Sequence, residues 1–184
     1  MVSASSYKSF SSKLLVSRET ILDLKNYEKL LIKANENTNL IGKSTINTIW
    51  DRHFLDSYQA IDFIDENDKL ISDLGTGAGF PGLVLAIIFK NKNKNMKITL
   101  IEKSPKKIKF LERITKELNL KVELMNGNAF NENVKLDGDV FVARAFKPLK
   151  KILELIHKKA QNWKKIIIFL GKTGKDDLVE ASKI

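Results

Sequence analysis

The ten residues DLGTGAGFPG, Asp73 to Gly82, decide how this chain folds. Gly75, Gly77, Gly79 and Gly82 let a backbone turn sharply and approach a ligand closely, because no Cβ obstructs either requirement. The run KLISDL (69–74) leads into the loop as a strand, and an apolar helical stretch (81–90) leaves it, with Pro81 suited to the first turn. A strand, a glycine turn and a helix start in this order make a ligand loop. Gly77, Gly79 and Gly82 also satisfy the spacing of the dinucleotide fingerprint, which keeps a nicotinamide cofactor open as a reading. Against it, Gly75 takes the place that closes the strand, and Asp73 sits at the strand end, where a carboxylate would repel a pyrophosphate. There is no GxxxxGKS or GxxxxGKT segment, so nucleotide hydrolysis of the P-loop kind is excluded.

Downstream, β-branched runs at 97–102 (KITLIE), 121–126 (KVELMN), 139–144 (DVFVAR) and 165–170 (KIIIFL) alternate with helical candidates at 105–119 and 149–160. That alternation predicts an α/β fold with a mostly parallel sheet and helices on both faces. Upstream the period is helical. Ile21, Leu22, Leu24, Leu30 and Leu31 follow a candidate cap at Ser17, and ANENTN (Ala34 to Asn39) breaks the run. A second helix is expected from about Thr45, carrying Ile49, Trp50, His53, Phe54, Ser57 and Ile61. The expected organisation is a disordered tail over 1–16, a helical cap over 17–66 and an α/β core over 67–184, acting as one domain.

A chain of 184 residues is too short for two large domains, and with no cysteine it has neither disulfides nor thiolate metal sites. Its 32 basic against 22 acidic residues give a net charge of +10, which points to an acidic partner such as nucleic acid. Only Arg18, Arg52, Arg113 and Arg144 are arginines, so a coding bias toward lysine is the competing explanation. The longest apolar run, Phe80 to Phe89, is too short to cross a bilayer, and the Ser-rich N-terminus lacks the apolar stretch of a secretory signal. A cytoplasmic monomer with no membrane partner is expected.

Glu102 ends the second strand, where a carboxylate can accept both hydroxyls of a ribose. Arg144 ends a later strand at the carboxyl edge, where ligands of such sheets sit, and is a candidate for cofactor or substrate contact. Lys103, Lys106, Lys107 and Lys109 cluster around the start of the helix after Ser104 and Pro105. Cations there oppose the helix dipole, a penalty that a nearby phosphate backbone would reverse, so these four are RNA-contact candidates. His53, beside Trp50 and Phe54, reads as a hydrogen-bonded, half-buried residue; Arg52 and Asp56, four apart, could pair. His157 reads as surface. No metal site is expected.

Several of these segments together resemble one family. DLGTGAGFPG resembles the nucleoside-binding loop of class I S-adenosylmethionine-dependent methyltransferases, in the form seen in the bacterial 16S ribosomal RNA N7-guanosine methyltransferases. WDRHFLDS (Trp50 to Ser57), LIEKSPKKIKFL (Leu100 to Leu111) and VARAF (Val142 to Phe146) resemble further segments of that family, over roughly residues 17–175. The resemblance implies a Rossmann-like fold, S-adenosyl-L-methionine as cofactor, and guanine N7 of 16S rRNA, at the nucleotide 527 site of the small subunit, as acceptor. It assigns cofactor contacts to Asp73, Gly75, Thr76, Gly77, Gly79, Phe80 and Glu102, to the backbone at Ala129 and Phe130, and to Arg144. Arg144 and His53 are positioning candidates, and no catalytic residue is assigned. Two departures stand out. Gly127-Asn128-Ala129-Phe130 replaces the family's Gly-Arg-Ala-Glu, and members usually run on past the point matching Ile184, so the last strands are expected to be missing. Other readings are a methyltransferase with a different acceptor, an NAD-dependent oxidoreductase, and a nonenzymatic RNA-binding protein with a vestigial loop.

Overall fold

Five short runs rich in Ile, Leu and Val form the strands of one sheet: β1 (Leu70–Leu74), β2 (Lys97–Glu102), β3 (Glu123–Asn126), β4 (Val140–Arg144) and β5 (Lys165–Phe169). The computed structural model describes residues 16–92, 95–171 and 174–182. The expected tail therefore lies, up to residue 15, outside the described residues. Every strand pair is parallel, in the order β3-β2-β1-β4-β5. The order reverses between β1 and β4, and in open α/β sheets ligands bind outside the carboxyl ends of the strands at such a switch point.

Strand residues alternate between two cores. Ile71, Leu100, Val140 and Val142 pack on one face with α1 (Arg18–Asn35), α2 (Gly82–Asn91) and α3 (Pro105–Glu117). Leu74, Ile101, Phe141 and Ala143 pack on the other face against Ile152, Leu155 and Ile156 of α4 (Leu149–Lys159). α2 is apolar all round, Leu83 to Phe89 being buried, because α1 covers the side turned away from the sheet. A final helix, α5 (Gly174–Ala181), was not evident from the sequence pattern.

Ser17 caps α1 as expected, its Oγ accepting the Thr20 N–H at 3.2 Å. Asn35 ends that helix by turning its Oδ1 to the Leu40 and Ile41 N–H groups, at 2.7 and 2.9 Å. α3 stops at Glu117, short of the expected 119, because Asn119 adopts left-handed backbone with φ 48°. The expected second helix is instead composite over 43–63: tight turns at both ends, a wide turn at Trp50–Leu55 and one α-turn at Asp56–Tyr58. Ile49, Trp50, His53, Phe54 and Ser57 are all buried along one face of this segment.

Candidate functional site

The carboxyl ends of β1, β2 and β4 lie side by side, since Leu74 is opposite both Ile101 and Ala143. The glycine loop, Glu102 and Arg144 therefore emerge at one edge. Gly75 and Gly77 take φ of +69° and +62°, the left-handed region that favours glycine. A Cβ at Gly75 would lie 2.2 Å from the Phe146 ring, whereas one at Gly77 would meet nothing nearer than 3.8 Å. Gly75 is thus required by packing, whereas a Cβ at Gly77 would make only ordinary contacts, with the Gly75 carbonyl and Lys107 Nζ.

Asp73 is fully buried beneath the loop. Its Oδ2 accepts from Thr76 Oγ1 at 2.6 Å and from the Gly82 N–H at 2.7 Å. Burial pushes its carboxyl up to about 6 despite those two bonds. Thr76, Gly79 and Phe80 are packed in the same layer, where the Tyr27 hydroxyl donates to the Ala78 carbonyl at 2.6 Å and the Tyr27 ring stacks on Phe80. These expected ligand residues shape the loop from below rather than lining the cavity above it. Tyr27 had no signal in the sequence beyond its place on the apolar stripe of α1.

Above the loop lies a cavity of about 390 Å³, with Gly75, Glu102, Ala129, Phe130 and Phe146 among its walls. Glu102 is 6% exposed; Oε2 accepts the Gly77 N–H at 3.0 Å and Oε1 the Ser104 N–H at 2.8 Å. Each oxygen keeps acceptor capacity for a ligand. Phe130 and Phe146 stack with centroids 5.9 Å apart, a pairing the sequence did not suggest. Lys159, also unforeseen, donates to the Ala129 and Asn131 carbonyls at 2.7 and 2.5 Å and holds their turn in place. The Phe130 N–H, a candidate cofactor contact, donates to Asn128 Oδ1 at 3.1 Å. The lysine cluster divides: Lys103 and Lys107 line the cavity, while Lys106 and Lys109 are exposed outside it.

Arg144 and His53 meet to one side. Arg144 Nη1 donates to the Arg52 carbonyl at 2.9 Å and Nη2 to His53 Nδ1 at 2.6 Å. Its guanidinium also lies 5.1 Å from the Phe80 ring, and His53 stacks on that ring at 4.8 Å. Burial, reinforced by Arg144 and Arg52, brings His53 down to about 4. Asp56 faces Arg144 at 3.9 Å, so the helix-face pairing expected with Arg52 gives way to a longer-range one. His157 is exposed, and no cluster of metal ligands occurs among the described residues.

An all-parallel sheet of this order, with a glycine loop after its first strand and a buried acid ending its second, defines a class I S-adenosylmethionine-dependent methyltransferase fold. Solved structures agree on the fold: a Klebsiella pneumoniae protein described as an O-methyltransferase superposes with TM-score 0.61 at 11% identity, covering 99% of this chain and 84% of that one. The precorrin-6y C5,15-methyltransferase of Geobacter metallireducens gives 0.53 at 16% identity, covering 79% and 72%. The GidB family model, rRNA small subunit methyltransferase G, matches residues 20–184. Proteins named ribosomal RNA small subunit methyltransferase G are 41% identical over 167 residues in Pelagibacter ubique, covering 90% of this chain and 78% of the relative. The Caulobacter vibrioides relative is 39% identical over 163 residues, covering 89% and 74%. The chain belongs to the rRNA small subunit methyltransferase G family.

The cavity fits the cofactor of that class. Its volume lies within the range of about 300–1,000 Å³ usual for small-molecule sites. Glu102 offers a fixed carboxylate suited to a ribose diol, and Phe130 and Phe146 an aromatic wall suited to adenine.

Proposed function

We propose that this chain transfers a methyl group from S-adenosylmethionine to guanine N7 of 16S rRNA, at the nucleotide 527 site, as a cytoplasmic monomer whose helical segment and α/β core act as one domain. The observation that carries this reading is that both ring nitrogens of His53, the one histidine at the site, are already engaged, Nδ1 by Arg144 and Nε2 by Thr45. Guanine N7 carries a free lone pair and loses no proton when methylated, so the reaction needs positioning rather than a base.

When bound, S-adenosylmethionine supplies an electrophilic methyl carbon on a sulfonium. Transfer of that methyl to the N7 lone pair would leave the positive charge on the purine with no proton to remove, so the chain's residues would need only to bind, orient and exclude water. Glu102 holds the ribose, the Ala129–Phe130 turn carries the adenine, and Lys107 offers its ammonium to the carboxylate end of the cofactor. That assignment for Lys107 rests on its Nζ lying 3.9 Å from where a Gly77 Cβ would stand. Asp73, Thr76, Gly79 and Phe80 act on the cofactor through the shape of the loop, and Arg144 and His53 as positioning residues. Lys106 and Lys109, free of the cavity, face the RNA backbone.

The test is methylation of purified small subunits with mapping of the product base, run with calorimetry of S-adenosylhomocysteine and NAD and with sizing of the purified chain. N7-methylguanosine at a single site, binding of S-adenosylhomocysteine and none of NAD support the reading. A methylated ribose hydroxyl, or tight NAD binding, overturns it.

A further inference from the structure

A second cavity, of about 770 Å³, opens beside the first, and Ala145 lines both. Its walls come from the 43–63 segment on one side and the end of β5 on the other. The polar groups on these walls differ in what they have left to give. Arg144 already donates to Arg52 and His53, and His53 Nε2 meets Thr45 Oγ1 at 3.0 Å. Asp56 is the only carboxylate on the walls among the described residues. At 3.9 Å from Arg144 it is held by charge, at a distance too long for a hydrogen bond, and its oxygens keep their acceptor capacity.

We propose that this cavity receives the acceptor base and that Asp56 selects guanine by accepting hydrogen bonds from N1–H and the exocyclic N2–H. The inference rests on the guanine-N7 reading above and names the residue that enforces it. Among the four bases, only guanine presents two adjacent donors on its Watson–Crick edge, and two carboxylate oxygens match them as a pair. Adenine and cytosine each set an acceptor beside their donor, and uracil flanks its one donor with acceptors, so each would bring an oxygen or nitrogen lone pair against the carboxylate. Holding guanine by this edge leaves N7, on the imidazole side of the base, free for methyl transfer. Phe63, 61% exposed at the cavity wall, offers a ring on which the base can stack. Arg52, exposed on the same wall, is placed for a phosphate of the same strand.

The experiment is single-turnover methylation of a small-subunit rRNA fragment carrying either guanosine or inosine at the mapped acceptor position. Inosine keeps N7 and N1–H and lacks only the 2-amino group. Wild type should prefer guanosine by about tenfold, the lower range of discrimination by a bidentate contact. In Asp56→Asn the preference should fall to near unity and the guanosine rate should drop, with S-adenosylhomocysteine affinity and melting temperature close to wild type. Asp56→Ser serves alongside, since it removes the acceptor pair without adding a donor amide. A guanosine preference that persists undiminished in both variants overturns the inference alone, as does a wild type indifferent to the 2-amino group. A wild type that makes no N7-methylguanosine removes the functional reading, and this inference with it.

Discussion

Arg144 Nη2 donates to His53 Nδ1 across 2.6 Å, and this contact fixes where the histidine keeps its proton. A guanidinium can only donate, so Nδ1 accepts and the ring proton sits on Nε2, which donates to Thr45 Oγ1; the threonine hydroxyl in turn donates to the Gly42 carbonyl at 2.8 Å. The direction of the whole chain of bonds is set by one arginine. Replacing Arg144 by Met should free Nδ1 and raise the His53 pKa from about 4 toward the ordinary histidine value. Arg144→Lys should restore the charge without the fork that reaches both Arg52 and His53. Histidine resonances followed by NMR against pH, with exposed His157 as internal reference, check this; an unmoved His53 titration in Arg144→Met would refute the assignment.

His53 also sets a pH dependence. Its folded pKa is depressed from 6.5 to about 4, so the native state binds fewer protons than the unfolded chain in between. Its contribution to stability is complete above about pH 6.5 and is lost as pH falls toward 4, by about 3 kcal/mol at most. Asp73 works the other way: raised from 3.8 to about 6, it favours the native state below its unfolded pKa, an advantage lost as pH rises through 6. Urea unfolding of wild type and His53→Gln from pH 4 to 7 should therefore show wild type gaining more stability with rising pH. Over pH 6 to 9, the methyl-transfer rate should show no ionisation that His53→Gln removes.

Of the three glycines with positive φ, Gly75 and Gly77 should separate cleanly. Gly75→Ala forces a Cβ to 2.2 Å from the Phe146 ring and should cost several kcal/mol, more than the 1–3 kcal/mol typical of backbone strain alone. Gly77→Ala meets only the strain, about 1–2 kcal/mol, and should fold. Its loss should appear in S-adenosylhomocysteine affinity, measured by calorimetry, because the added methyl would stand 3.9 Å from Lys107 Nζ, which lines the cavity. Equal melting temperatures for the two variants would contradict this.

Glu102→Gln should do more than remove a charge. Both carboxylate oxygens accept backbone N–H groups, and an amide nitrogen in place of either one sets donor against donor. A loss of about 1–3 kcal/mol is expected, shared between fold stability and cofactor affinity. Melting with and without S-adenosylhomocysteine separates the two shares.

The lysines around the start of α3 should divide by function. Lys106→Gln with Lys109→Gln should flatten the salt dependence of RNA binding by about one to two units of slope and leave S-adenosylhomocysteine affinity alone. Lys103→Gln with Lys107→Gln should lower both, because those two line the cavity. Filter binding across a salt series, beside calorimetry, reads the difference.

The sheet was legible because each buried strand is a short run of Ile, Leu and Val bounded by polar residues, and its parallel order follows from the intervening helices. Glu102 was legible because a strand end fixes where a side chain emerges. Asp73 lies beneath the loop for a physical reason: the turn needs an acceptor for the Thr76 hydroxyl and the Gly82 N–H, and the sequence does not distinguish an acceptor below the loop from one above it. Lys159 and Tyr27 were invisible because their partners lie 30 and 51 residues away, across a tertiary contact with no local period. The wide turn at Trp50–Leu55 escaped notice because apolar residues at steps of three and four fit a regular helix as well.

Tyr27 places the first helix and the glycine loop in one energetic unit. Its hydroxyl is buried and bonded to the backbone of the loop, so undocking α1 exposes the underside of the ligand cavity. By linkage, a cofactor that binds only the ordered loop must tighten the hold on α1 by the same free energy with which docked α1 tightens the hold on the cofactor. The amides of α1, remote from any contact with the ligand, thus become reporters of occupancy, exchanging their hydrogens more slowly as the cavity fills.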